Sequence, residues 1–133
     1  MNVSHLDWRP DSLPEIDVVE VVDLEDVEPL SSSGYMSAAA AAPCVRVTGN
    51  AAQTIAALWR SLPPGSQARC HVPPFGLRFL LAEELVAEAS VCWMCNNVVG
   101  GTWEGTFWFE FDGEAPASLE LLAAIRAVIG KPG

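Results

Sequence analysis

The sequence predicts an α+β fold: an antiparallel sheet of about five or six strands with two helices packed on one face. Three observations carry this expectation. Phe107, Phe109 and Phe111 alternate with Trp108, Glu110 and Asp112, the two-residue period of a strand with one buried face. Ile55, Leu58, Trp59 and Leu62 recur at the spacing of one helical face. Leu121, Leu122, Ile125, Val128 and Ile129 repeat that pattern near the C-terminus. The chain has 133 residues, half of them hydrophobic, which suffices for one domain with its own core.

The elements follow in order. Residues 1–14 are polar, with Pro10 and Pro14, and read as an irregular lead-in. Residues 15–24 are β-branched and partly alternating, which predicts an edge strand with its acids in water. Residues 31–43, rich in serine and alanine, read as a flexible linker, so the chain divides at 43 into an acidic N-terminal segment and an α+β domain over 44–133. Cys44–Thr48 reads as a short strand. Asn50 then suits a helix N-cap, and Pro63-Pro64-Gly65 ends that helix.

A strand-rich block comes next. Residues 67–72 form a candidate strand. Leu77, Phe79 and Leu81 share one strand face, Ala82-Glu83-Glu84 turns the chain, and Leu85, Ala87, Ala89, Val91 and Trp93 share the returning face. Asn96-Asn97 and Gly100-Gly101 read as punctuation before the phenylalanine strand. Pro116 opens the last helix and Gly130 closes it. The predicted order is β-β-α-β-β-β-β-α.

Charge narrows the function. The formal net charge is −10, and residues 1–30 carry nine acids against Arg9 alone. Residues 31–133 carry eight acids against six bases and are nearly neutral. With one lysine and no basic stripe, the chain repels phosphate backbones, so no nucleic-acid partner is expected. No basic-then-apolar leader and no apolar run of membrane-spanning length stand out, so a cytoplasmic protein with no membrane partner is expected. The partner expected is another protein, of basic character.

The sharpest local feature is Cys92-Trp93-Met94-Cys95, with Cys70 and Cys44 elsewhere. In the cytoplasm such cysteines are expected to be free, metal-bound or redox-active in preference to a disulfide framework. Three readings compete. Cys70, Cys92 and Cys95 could supply thiolates to zinc, but a single CxxC provides half of a four-ligand site. They could cycle redox state, but no helix N-terminus is predicted after Cys95 to lower a thiol pKa. They could pack as small apolar core residues, and this structural reading is the one favoured. No cofactor is therefore expected, with zinc as the alternative. The favoured arrangement clusters Cys70, Cys92 and Cys95 at one end of the sheet, with Cys44 apart.

Two further residues stand out. Arg78 faces away from Leu77 and Phe79, where it can pair with Glu88 across the hairpin or bind an anion. Trp108 lies opposite the phenylalanine face, where it is either exposed, as a protein-contact aromatic would be, or covered by a helix. The block Cys70-His71-Val72-Pro73-Pro74-Phe75-Gly76-Leu77-Arg78-Phe79, with Ser90-Val91-Cys92-Trp93-Met94-Cys95-Asn96-Asn97, resembles one found in a family of small uncharacterised bacterial proteins. The resemblance spans about residues 66–112 and brings no activity with it. It implies that Cys70, Arg78, Cys92, Cys95 and Asn96 act together. The expected function is protein binding without catalysis, through Trp108, Arg78 and Asn96. The alternative is a zinc or thiol protein built on Cys70, Cys92 and Cys95.

Overall fold

Six antiparallel strands and two helices build the domain in a computed structural model that describes residues 5–25, 42–65 and 73–130. The strands are β1 (Val18–Asp23), β2 (Cys44–Thr48), β3 (Phe75–Leu81), β4 (Glu84–Cys92), β5 (Asn97–Thr102) and β6 (Gly105–Glu110). The helices are α1 (Gly49–Arg60) and α2 (Pro116–Ile129). The sheet order is β2-β1-β3-β4-β5-β6, so the architecture is the α+β fold expected.

Register puts the apolar residues on one face. Val19 pairs with Val47 and Phe79, and Phe79 pairs with Ala87. Val91 pairs with Val98, and Val98 with Phe109. Alternation along each strand aims all of these the same way. Ala52, Ile55, Ala56 and Trp59 of α1 and Leu121 and Ile125 of α2 complete that core. Trp59 is fully buried, edge-on to Phe79 at 5.1 Å and to Phe109 at 5.7 Å between ring centroids. Leu13 and Ile16, ahead of β1, are buried in the same cluster.

Five expectations change. The N-terminal strand is interior, because β1 lies between β2 and β3 and its Val19, Val21 and Val22 are buried. Residues 18–23 therefore share a sheet and a core with 44–130, and the division at 43 separates no independent unit. A strand, β5, occupies 97–102, where glycines suggested only turns. An added Cβ at Gly100 would meet the Glu88 carbonyl oxygen at 2.3 Å and Phe107 Cζ at 2.7 Å, so glycine there lets Phe107 cross the sheet. The helix cap position belongs to Thr48, two residues ahead of the expected Asn50. Finally, Leu81 and Leu85 are exposed, because the β3–β4 register shifts between Phe79 and Leu80. The strand expected over 67–72, Cys70 and nearly all of 31–43 lie outside the described residues.

Candidate functional site

The face of the sheet opposite the helices carries a cross-strand charge ladder. Glu20 on β1 stands opposite Arg46 on β2 and Arg78 on β3, and Arg78 stands opposite Glu88 on β4. The Arg46 guanidinium lies 3.4 Å from the Glu20 carboxylate and is also paired with Glu83. Arg78 lies 3.6 Å from Glu20 and 3.8 Å from Glu88. Alternating signs at opposed positions stabilise the pairing of these strands. Arg78 thus takes the structural role expected across the hairpin, and it also reaches β1.

Trp108 occupies the same face on the outer strand β6, opposite Val99 of β5, and is 38% exposed. Trp103, in the turn between β5 and β6, is 88% exposed. Trp93, Trp103 and Trp108 fall within sixteen positions of the sequence, and nothing in that spacing assigns Trp103 to a surface. Its position in the tight Trp103-Glu104 turn is the signal that places it in water. The β5–β6 hairpin thereby presents two tryptophans at one margin of the sheet. Exposed apolar side chains gathered in one patch, unlike single scattered ones, mark contact surfaces.

Asn96 is a bracing residue. It adopts φ +54°, and its Oδ1 accepts a hydrogen bond from the Gly113 N–H at 3.1 Å. Its carbonyl accepts from Phe111 N–H at 3.0 Å. A Cβ on Gly113 would fall 2.6 Å from that Oδ1, so the two residues are fitted to each other. Trp93 adds a second brace, its Nε1–H donating to the Ser118 carbonyl at 2.9 Å. The turn after β4 is in this way tied to the start of α2. Arg78 and Trp108 share a face, and Asn96 stands at the sheet's end, so the three expected binding residues form no single pocket.

The CxxC turn sits beside that brace. Cys92 is a free, buried thiol whose Sγ accepts a hydrogen bond from Cys95 N–H at 3.2 Å. Cys95 is buried and disulfide-bonded, where free, metal-bound or redox-active cysteines are expected in preference to disulfides. In that oxidised form its sulfur has no thiolate to give a metal. Cys44 is free and exposed on β2, apart from the pair, as expected. Among the described residues, no group of three or more His, Cys, Asp or Glu side chains is disposed to hold a metal ion. No helix among them is long and apolar enough to cross a membrane. No protein family, curated protein or solved structure matches the chain.

Proposed function

We propose that this chain is a protein-binding domain without catalysis, and that its partner is basic. The observation that carries the reading is the pair of exposed tryptophans, Trp103 and Trp108, on the outermost hairpin. Tryptophan is among the residues that most often dominate binding energy at protein interfaces. The net charge of −10 supports a basic partner through long-range attraction, which speeds encounter. The braces at Asn96 and Trp93 hold the hairpin's base to α2, so the aromatic margin is presented on a rigid scaffold. Rigid presentation lowers the ordering cost of association.

The test is comparative affinity capture with the wild-type chain and Trp103→Ala as baits, followed by titration of each recovered polypeptide in purified form. Support is a basic polypeptide whose affinity falls on Trp103→Ala and falls again with added salt. Recovery of the same polypeptides at equal affinity by both baits would sink the proposal.

A thiol redox function has one specific observation in its favour. The disulfide-bonded Cys95 and the free Cys92 sit three residues apart, joined by a backbone-to-sulfur hydrogen bond. That juxtaposition suits thiol–disulfide exchange. A change in Cys92 labelling between mildly reducing and oxidising buffers, with the fold intact, would favour this second reading.

A further inference from the structure

We infer that the outer edge of β2 is a main-chain docking site for an extended, basic segment of another protein. The inference rests on the protein-binding reading above but places a contact at the opposite margin of the sheet. Five strand intervals of ~4.8 Å put β2 and β6 about 24 Å apart, so this is a separate contact from the tryptophan hairpin.

The two margins are built differently. At β6, His5 bridges Thr106 in parallel, and Leu6 N–H donates to the Thr106 carbonyl at 2.7 Å. Trp8 follows, stacked on Phe107 at 4.3 Å. The chain's own lead-in therefore covers part of that edge. At β2, all five residues pair with β1 on one side, and among the described residues no strand pairs on the other. Four of the five are exposed, and only Val47 is half-buried.

An open strand edge offers a row of unpaired N–H and C=O groups, which recruit another strand unless the sequence prevents it. The usual preventives are a very short strand, charged side chains (lysine above all), proline, a bulge, an inward charge or a covering loop or helix. β2 has no lysine, no proline and no register shift. Its one charge, Arg46, is already held by Glu20 and Glu83. Among the described residues the edge is regular and no strand covers it.

Its side chains specify the guest. On the helix side, Val45 is 38% exposed next to Val47, so an added strand would lay apolar side chains beside them. On the other side the guest would lie beside Arg46, whose charge is held by Glu20 and Glu83, and the 72% exposed Glu83 carboxylate is the acceptor left open to a basic guest side chain. With the chain at −10, a guest with basic side chains on that side gains attraction, and an acidic one is repelled. The same charge disfavours a second copy of this chain as the guest. Strand addition draws affinity from main-chain hydrogen bonds and specificity from alternate side chains, which matches this alternation.

The experiment is an amide NMR titration of the full chain with a synthetic heptapeptide of alternating valine and lysine. The expected result is saturable shifts and slowed amide exchange concentrated in Cys44–Thr48. Val45→Glu, at an exposed position that leaves the core intact, should weaken binding by about tenfold by placing a charge where an apolar guest side chain packs. Trp103→Ala should leave the peptide's affinity unchanged. Shifts centred on Trp103 and Trp108 would overturn the β2 site while keeping the protein-binding reading. Absence of saturation, or equal affinity for Val45→Glu, would overturn the site as well. Failure of the capture experiment, by contrast, would sink the broader reading whatever the peptide does.

Discussion

Gly100 is the most demanding position in the sheet, and its substitution tests the strand that sequence patterning misses. In Gly100→Ala the new Cβ would stand 2.3 Å from the Glu88 carbonyl oxygen, 2.7 Å from Phe107 Cζ and 2.8 Å from Ala89 Cβ. The first contact is with backbone that pairs β4 to β5, through the registers Glu88↔Gly101 and Ala89↔Gly100, so relief requires parting the two strands. The second would push Phe107 out of the core cluster. Overpacking a tight core costs about 1–3 kcal/mol, and the backbone contact sets the expectation at the upper end, about 3 kcal/mol. Gly101→Ala is the internal control. Its nearest neighbour would be the Gly105 carbonyl oxygen at 3.1 Å, which a small shift of the turn relieves, so the expectation is about 1 kcal/mol. Urea unfolding followed by tryptophan fluorescence supplies both values from midpoints at constant slope. Equal losses for the two variants, or a near-neutral Gly100→Ala, would refute the crossing of Phe107 over a bare backbone.

Four other outcomes follow from the same geometry. Deleting residues 1–43 removes β1 from the interior of the sheet, so circular dichroism should show an unfolded chain; a cooperative thermal transition would contradict that. Phe109→Ala should cost about 3–5 kcal/mol in urea, since the ring packs on Trp59 and Phe107. Arg78→Ala should cost about 1–2 kcal/mol, more than Arg46→Ala, because Arg78 is the more buried of the two arginines and its loss takes a partner from Glu88 while Glu20 keeps Arg46. At the β3–β4 turn, Ala82 and Glu83 hold φ +51° and +69°, a backbone that asparagine followed by glycine adopts at lower cost, so the double variant A82N/E83G should gain about 0.5–1 kcal/mol in thermal or urea unfolding despite loss of the Arg46 pair.

Local patterning exposes most of the core and less of the topology. The phenylalanine alternation of β6, the α1 stripe around Trp59 and the α2 stripe through Ile125 are short-range signals, and each marks residues that are buried together. The Arg78–Glu88 pair is legible because a tight hairpin fixes which residues oppose. The interior place of β1 is not. Its acidic Glu20 looks like a solvent-facing residue, whereas Arg46 and Arg78 neutralise it from strands distant in sequence. β5 is hidden by Gly100 and Gly101, since glycine signals a turn locally and a close crossing only once Phe107 is placed. Alternation alone assigns Trp108 to the correct face. Asn96 stands out in the sequence as a binding residue, but its amide is committed to Gly113, a contact that depends on how the end of β6 meets α2. The Cys95 disulfide escapes the sequence because compartment, not geometry, guides the expectation.

The central claim is that the β5–β6 hairpin binds a basic protein through its tryptophans. Both side chains lie outside the core cluster, so truncating them leaves the fold in place. Interface residues of this kind cost at least ~2 kcal/mol when truncated, or about 30-fold in affinity each. Calorimetric titration of the purified, captured polypeptide onto the wild-type chain and onto the Trp103→Ala/Trp108→Ala double variant measures this directly. The double variant should lose at least about 100-fold in Kd, below strict additivity because the two rings share one hairpin. An unchanged Kd would contradict it.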